Sequence, residues 1–378
     1  EQVINIAVSL LCAYLLMKIS IPYGAAGGTI GTSVGALIAL GYMMCVYKKK
    51  DFEEEAYIAQ GDAKRIKPKS IIRKLVKYGL PITLSSGLQN FGSLVDMVNV
   101  NARLAFAGFS MEKAQELYGV LGRYKTLLSV PLIIITALGT TVLPAVSAAM
   151  AVKDKKEVRN KTSFAFRMVF LITIPSAVGL SCLSREVFTI LYGSEQGYEL
   201  MMVGSVVLIF MAVAQIQTVL LQSMNKLYYV LGTFIIGLTF KIIANYILVG
   251  MKDINIMGVV VGNFLWFFIP CILNQRALKK ALRVKIHMIR NIVKPLIASA
   301  VMALVIYWTR IPISIMLELT NKNMILYAVS TFLLIAIGGF VYLYLIILLG
   351  GLRKRDLDSI SGRIYKMLPR FMRENMHL

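Results

Sequence analysis

Apolar, uncharged segments alternate with short basic segments along most of the chain. Five segments contain no charged residue: 20–47, 126–152, 200–225, 254–275 and 323–352. A helix of about 20 apolar residues crosses the hydrocarbon core of a bilayer, so each of these segments is long enough to span a membrane. Because they lack the alternation and regular turns of an outer-membrane barrel, the pattern predicts helices.

Shorter apolar segments fill the remaining chain and raise the prediction to about ten transmembrane helices. The expected spans are residues 2–19, 25–47, 79–105, 117–149, 163–184, 200–223, 228–249, 254–275, 291–309 and 323–350. The composition supports this fold class, an all-α polytopic membrane protein. The chain is 57% hydrophobic and 16% charged, whereas a soluble domain is about half apolar and a quarter charged.

The basic residues are concentrated in alternate loops. They follow the second, fourth, eighth and tenth predicted spans, within residues 48–77, 153–161, 276–290 and 353–373. The opposite loops carry only scattered charges, such as Lys113. Because an excess of lysine and arginine marks the cytoplasmic side, we expect both termini in the cytoplasm.

The formal net charge of +22 follows from this topology. It predicts attraction to the anionic lipids of the inner leaflet. Binding of nucleic acid would need the basic residues on one solvated face, which their distribution among several loops does not provide.

Two cytoplasmic segments are expected outside the spans. Residues 48–70 are charged and lack apolar periodicity, which is typical of a linker between two membrane bundles. In the tail 351–378, apolar residues recur at three- and four-residue steps among basic ones: Leu357, Ile360, Ile364, Leu368 and Phe371. This spacing suits an amphipathic helix on the inner leaflet, and an ordinary solvated tail is an equal alternative.

A glycine pattern repeats between the first two spans and the seventh and eighth. In both places a span ends, a short turn follows, and the next span opens with two glycines four residues apart. The pairs are Gly27 with Gly31 and Gly258 with Gly262. Small residues at this spacing let helix backbones approach closely, and the repeat therefore predicts two related bundles.

The expected domain organisation follows from this repeat. It comprises a two-helix remnant of an N-terminal lobe (1–47), the linker (48–70), a six-helix C-terminal lobe (71–275), a loop with two extra helices (276–350) and the tail (351–378). Because only two spans precede the linker, we expect about four further spans to be missing from a chain that begins at Glu1. A processed or naturally short protein is the alternative.

A polar stripe runs along the third predicted span. Six polar residues lie at steps of three and four residues, which places them on one helix face: Ser85, Gln89, Ser93, Asp96, Asn99 and Arg103. Such a stripe is costly against lipid and tolerable along a solvated cavity, so we expect it to face a groove. The alternatives are hydrogen bonds between helices and a local ion pair of Asp96 with Arg103.

Two other predicted spans also carry cations. Arg123 and Lys125 open the fourth span, and Lys241 lies one turn before Asn245 in the seventh. An arginine can hold a phosphate or pyrophosphate through two hydrogen bonds and stays charged at any working pH. The arginines are therefore candidates for binding a phosphorylated substrate. Asp96 could instead take up a proton or a cation.

Residues suited to covalent or metal chemistry are scarce. The cysteines lie in apolar runs without paired spacing, which excludes a disulfide scaffold and a zinc knuckle: Cys12, Cys45, Cys182 and Cys271. The two histidines, His287 and His377, lie in basic polar stretches, where a histidine metal site or triad is not expected. We therefore predict no catalytic residues, no metal and no cofactor.

Three passages resemble one transporter family. They are KYGLPITLSSGLQNFGSLVDMVNVNARL (77–104), LYGVLGRYKTLLSVPLIIITALGTTVLPAVSAA (117–149) and LLQSMNKLYYVLGTFIIGLTFKIIANYILV (220–249). They are similar to the seventh, eighth and tenth to eleventh helices of the stage V sporulation protein B type of polysaccharide exporters. This family belongs to the multidrug, oligosaccharidyl-lipid and polysaccharide exporter superfamily, which includes lipid II flippases. The resemblance covers essentially the whole chain, from a fifth to a fourteenth helix.

The resemblance implies a two-lobe bundle around a central cavity in the bacterial cytoplasmic membrane, with most of the N-terminal lobe absent here. It implies a flippase for an undecaprenyl-pyrophosphate-linked oligosaccharide or peptidoglycan precursor, working by alternating access. Arg103 resembles the arginine that ends the family's seventh helix, and Arg123 one that opens the eighth. The coupling ion, proton or sodium, stays open.

Two other functions are kept as alternatives. A cation-coupled multidrug exporter of the same superfamily would prefer acidic residues in its cavity, whereas basic residues outnumber Asp96 here. A membrane enzyme that polymerises or ligates lipid-linked glycans would need a sizeable external loop with convergent catalytic groups, and the predicted external loops are short.

The charge pattern makes a testable prediction of topology. In an Asp154→Cys variant, the new thiol should react with a membrane-permeant reagent and resist an impermeant one added outside the cell, because the loop after the fourth span is cytoplasmic. Labelling by the impermeant reagent in intact cells would contradict the scheme.

Overall fold

The computed structural model describes residues 1–49, 67–282, 288–319 and 324–352, together with Pro369. Every regular element within these ranges is helical. The fold class predicted from the sequence, a multi-span helical membrane protein, is confirmed. Most of the predicted linker and of the tail lies outside the described residues, so the predicted amphipathic helix does too.

The chain divides into two compact units, Glu1–Lys74 and Leu75–Leu378. The first contains α1 (Gln2–Met17) and α2 (Ile21–Lys49), which pack against each other. A Cβ atom on Gly27 would lie 2.7 Å from the carbonyl oxygen of Cys12, and one on Gly31 would lie 2.5 Å from that of Asn5. Only glycine permits this approach, as the sequence spacing predicts.

The second unit holds the remaining helices, and its first helix begins before the boundary. The elements are α3 (Pro68–Val95), a π-helical turn (Asp96–Val100), α4 (Asn101–Phe106), α5 (Met111–Ala151), α6 (Lys155–Cys182), α7 (Ser184–Tyr192), α8 (Tyr198–Gly204), α9 (Val207–Ser223), α10 (Leu227–Leu248), a 3₁₀ turn (Asn255–Met257), α11 (Gly258–Leu282), α12 (Met288–Leu319) and α13 (Met324–Leu348). Side-chain N-caps stabilise the beginnings of α5 and α6. The Ser110 side chain accepts a hydrogen bond from the Lys113 backbone amide, and the Asp154 side chain accepts one from the Glu157 backbone amide.

Helices α5, α6, α9, α10 and α11 enclose the main core. Large buried side chains fill it, which is the arrangement expected of helices packed on several sides. They include Ile135, Phe166, Ile216, Phe234 and Leu278. A second cluster joins α4, α5, α7 and α9 through Leu104, Leu121, Phe188 and Leu208.

Seven described helices are long and apolar enough to cross a membrane, judged by length and composition. The pair α8 and α9, bent by 53°, supplies an eighth if it counts as one span. The two other predicted spans correspond to α1, which has 16 residues, and to the polar region from α3 to α4. A polar stripe lowers the hydropathy of that region.

Two predicted spans are interrupted. The third was expected to be one helix over 79–105, but α3 begins at Pro68 and a π-helical turn separates it from α4. The sixth was expected to be continuous over 200–223, but it bends between α8 and α9. Apolar periodicity cannot show such breaks, because both halves remain apolar.

The ninth and tenth spans, α12 and α13, pair with each other and pack against α6. With α5, α6 and α7 they line an apolar cavity of about 320 Å³, to which Met302, Ile306, Gly338 and Tyr342 contribute. The Tyr342 hydroxyl donates to the Leu171 carbonyl at 2.7 Å, which fixes α13 on α6.

Helices α10 and α11 approach closely through the second glycine pair. A Cβ atom on Gly258 would lie 2.7 Å from Leu248 Cβ and 2.9 Å from the Val249 amide nitrogen. One on Gly262 would lie 2.0 Å from Asn245 Oδ1. The glycines predicted from the repeat therefore form the contact at both helix pairs.

We expect Gly258→Ala to lower the free energy of unfolding by about 1–3 kcal/mol, because the methyl group overlaps backbone atoms that must move. Gly232→Ala, in α10, is the matched control, since nothing lies within 4 Å of its added Cβ. This control should be neutral or stabilise by up to about 1 kcal/mol through helix propensity. Thermal unfolding in detergent measures both, and equal unfolding temperatures would contradict the packing argument.

Candidate functional site

A fully buried carboxylate, Asp96, is the centre of the polar residues inside the bundle. It opens the π-helical turn that follows α3. Its Oδ2 accepts hydrogen bonds from Lys125 Nζ at 2.5 Å and Lys241 Nζ at 2.9 Å. Its Oδ1 accepts from Asn245 Nδ2 at 2.9 Å. We call Asp96, Lys125, Lys241 and Asn245 the Asp96 cluster.

Helix α10 presents two members of the cluster from one face. Lys241 and Asn245 are four residues apart, so both side chains point toward Asp96. The Lys241 ammonium also donates to the Gly92 carbonyl at 3.0 Å and lies 4.2 Å from the centre of the Trp266 ring. Gly92 is required there, because a Cβ atom would overlap the Trp266 ring at 2.1 Å.

The charges of the cluster depend on one another. A buried carboxylate is tolerated when it is paired and hydrogen-bonded, and Asp96 has both kinds of partner. Two ammonium groups face this one carboxylate, so the cluster carries one excess positive charge. The Lys241 side chain has no exposed surface, whereas 29% of the Lys125 side chain is exposed.

The exposed part of Lys125 borders a cavity of about 340 Å³ between α3, α5, α9 and α11. Its polar lining residues carry hydroxyl, amide and ammonium groups: Ser93, Tyr124, Lys125, Ser129, Gln215 and Asn263. Its apolar lining includes Leu128, Met211, Trp266 and Phe267. Lys125 therefore joins the buried cluster to an open, mixed-polarity space.

The two arginines predicted to bind substrate lie elsewhere and are half-buried. Arg103 donates from Nε to the Tyr246 carbonyl at 2.9 Å, and its guanidinium lies about 4 Å from the ring centres of Phe106 and Tyr246. The Arg123 guanidinium lies 5.1 Å from the ring centre of Tyr192 on α7. Neither arginine is among the residues that line the 340 Å³ cavity.

The predicted stripe is divided between two surroundings. Ser93 lines the cavity, but Asp96, Asn99 and Arg103 contact α10, with Asn99 donating to the Ile242 carbonyl at 3.3 Å. The expectation that all six residues face one groove is therefore wrong for Asp96, Asn99 and Arg103, because α10 offers polar partners to these three side chains. The side chains of Ser85 and Gln89 lie outside the described part of the structure.

The proposed ion pair between Asp96 and Arg103 is not formed. Lysines satisfy Asp96, and a backbone carbonyl satisfies Arg103. The pairing of Asp96 with Lys241 was missed because 145 residues separate them. One signal was available: Asp96 is the sole carboxylate in the ten predicted spans, so it needed a basic partner inside the bilayer.

Within the described residues, no group of three or more histidine, cysteine, aspartate or glutamate side chains could hold a metal ion. Ammonium, hydroxyl and amide groups surround the 340 Å³ cavity. Such groups bind phosphate and sugar oxygens.

Comparison with known proteins gives a family. A family model described as lipid II flippase MurJ matches residues 2–329. The chain is 23% identical over 392 residues to lipid II flippase MurJ of Bacillus subtilis (strain 168), covering all of this chain and 69% of that protein. It is 26% identical over 289 residues to stage V sporulation protein B of the same organism, covering 76% of this chain and 55% of the relative.

A solved structure agrees in fold. It is that of lipid II flippase MurJ in an inward closed conformation, with a TM-score of 0.59 and 17% identity, covering 94% of this chain and 67% of the other. The exporter family predicted from the three sequence passages is confirmed.

The cluster makes a prediction for stability. Asp96→Asn leaves two ammonium groups without a carboxylate, so it should lower the free energy of unfolding by about 3–5 kcal/mol. The double variant Asp96→Asn with Lys241→Met should be less destabilised than Asp96→Asn alone, because it also removes the uncompensated buried charge. Thermal unfolding of the purified chain in detergent measures this, and additive effects would contradict a direct pairing.

Proposed function

Because the chain belongs to the lipid II flippase MurJ family of membrane transporters, we propose that it moves a lipid-linked saccharide across the bacterial cytoplasmic membrane. The substrate would be an undecaprenyl-pyrophosphate-linked oligosaccharide or peptidoglycan precursor. Alternating access would carry its polar head through the bundle while the lipid tail stays in the bilayer. Both termini would lie in the cytoplasm, as the basic loops indicate.

The observation that carries the proposal is the position of Lys125. Its ammonium belongs to the Asp96 cluster, and its side chain borders the 340 Å³ cavity. A lysine is a common point-charge ligand for phosphate, and the cluster supplies an excess positive charge beside the cavity. In this mechanism Lys125 attracts the pyrophosphate, and Lys241 keeps Asp96 neutralised when Lys125 turns toward the substrate.

The rest of the cavity suits a saccharide. Ser129, Gln215 and Asn263 offer hydroxyl and amide groups for sugar oxygens, while Trp266 and Phe267 offer ring faces on which sugar C–H groups can pack. No covalent step is required, so these residues need only bind the head group and release it.

We propose that Arg103 and Arg123 form a second binding position for the pyrophosphate. They lie on α4 and α5, on either side of the turn that the charge pattern places outside the membrane. Each guanidinium lies over a tyrosine ring, which holds it in a defined plane. Three further residues remain proposed contacts of the substrate and lie in the same helical region as Ser93: Ser85, Gln89 and Asn99.

Two other functions are less well supported. A cationic drug would be repelled by Lys125, and the cavity lining contains no carboxylate. A glycan-processing enzyme would need convergent acidic groups. Four of the described glutamates are instead each paired with a different lysine or arginine: Glu116, Glu157, Glu186 and Glu195.

The role of Lys125 can be tested by complementation of a flippase-deficient strain. Lys125→Ala should reduce transport by about tenfold or more, since a charge-assisted hydrogen bond contributes roughly 1.5–3 kcal/mol. Lys125→Arg should retain part of the activity. Lys113→Ala, on the same helix but paired with Glu116 on the surface, is the matched control.

Membrane abundance of each variant should be measured in parallel, so that loss of protein is separated from loss of transport. If Lys125→Ala complements as well as the parent at equal abundance, the proposed phosphate contact is wrong.

A further inference from the structure

The Lys241 ammonium lies in surroundings that would suit a free alkali cation. Its Nζ is 2.9 Å from Asp96 Oδ2, 3.0 Å from the Gly92 carbonyl oxygen and 4.2 Å from the centre of the Trp266 ring. A carboxylate oxygen, a backbone carbonyl and an aromatic face are all groups that bind cations. Hard cations are bound mainly by oxygen atoms of these kinds.

One oxygen of the cluster is left unpaired. Asn245 donates to Asp96 through its amide nitrogen, and its Oδ1 is buried without a hydrogen-bond partner in the described part of the structure. Oδ1 is also the atom that a Cβ on Gly262 would overlap, so it lies at the contact of α10 with α11. A buried amide oxygen left unpaired is costly, and this one belongs to a residue that binds Asp96 through its amide nitrogen.

The charge balance decides what can occupy this place. Asp96 already faces two ammonium groups, and it has no exposed surface. A metal cation added to the cluster would be a third positive charge next to one carboxylate in a buried site, which is strongly unfavourable. A cation could bind only if the Lys241 ammonium left.

We propose that the Lys241 ammonium occupies the cation-binding position of the Asp96 cluster. By filling this position, it excludes Na⁺ and K⁺. Removal of its side chain would leave Asp96 Oδ2, the Gly92 carbonyl and the Trp266 ring face as a site for an alkali cation. The consequence for transport rests on the proposed function: Asp96 would not be the point where an alkali cation drives the flippase. The proposal that Lys241 fills the cation position does not depend on whether the protein transports a substrate.

Thermal unfolding of the purified chain in detergent tests the proposal. Unfolding temperatures are compared in NaCl, KCl and choline chloride at equal ionic strength. The parent should unfold at the same temperature in all three salts, within about 1 °C, because a ligand stabilises only a protein that binds it. Lys241→Ala should unfold at a lower temperature in choline and regain about 3 °C or more in NaCl or KCl.

Lys241→Met is the matched control, because its side chain still fills the position without a charge. It should be destabilised and show no difference between the salts. Adding Asp96→Asn to Lys241→Ala should abolish the response to the alkali cation, since the carboxylate is its main ligand.

Two results would overturn the proposal. The first is that Na⁺ or K⁺ stabilises the parent and that Asp96→Asn removes this stabilisation. This comparison does not require any Lys241 variant to fold. The second is a Lys241→Ala variant that responds no more to alkali cations than Lys241→Met does. Because unfolding is measured without substrate, either result leaves the flippase proposal to its own test.

Discussion

The neutralisation of Asp96 inside a low-dielectric bundle is the constraint on which this structure depends. A carboxylate with no exposed surface cannot stand without charged partners, and here they come from α5 and α10. The same contacts tie the π-helical turn to both helices and place Gly92 and Trp266 around Lys241. Lys125, Lys241 and Asn245 are thus positioned by one charge that must be satisfied.

The two lysines of the cluster are buried to different extents, and the proposed function depends on this difference. Lys241 is closed in by α3, α10 and α11, whereas Lys125 borders a cavity with both polar and apolar walls. In the proposed mechanism, Lys241 compensates Asp96 permanently while Lys125 is shared with the substrate. A static positive charge beside a cavity suits an anionic head group, in keeping with the family to which the chain belongs.

Much of the fold was predictable because the bilayer imposes long apolar segments and a charge asymmetry that a sequence displays directly. The glycine pairs were equally visible, and Gly27, Gly31, Gly258 and Gly262 form close contacts. The partners of Asp96 were not predictable from local spacing. Arg103 lies on the same predicted face, but the cations that pair with Asp96 come from other helices: Lys125 is 29 residues away along the chain and Lys241 is 145 residues away. The bend between α8 and α9 and the apolar cavity at α12 and α13 depend on tertiary packing, which periodicity does not encode.

The central claim is that the chain recognises the phosphates of a lipid carrier through its cationic cavity. It is tested most directly by measuring the binding of undecaprenyl pyrophosphate and of undecaprenol to the purified chain by native mass spectrometry. Both ligands have the same tail, so only the head group differs. The account predicts that the pyrophosphate binds about tenfold or more tightly, and that raising the ionic strength narrows the difference. Equal binding of the two ligands would contradict it.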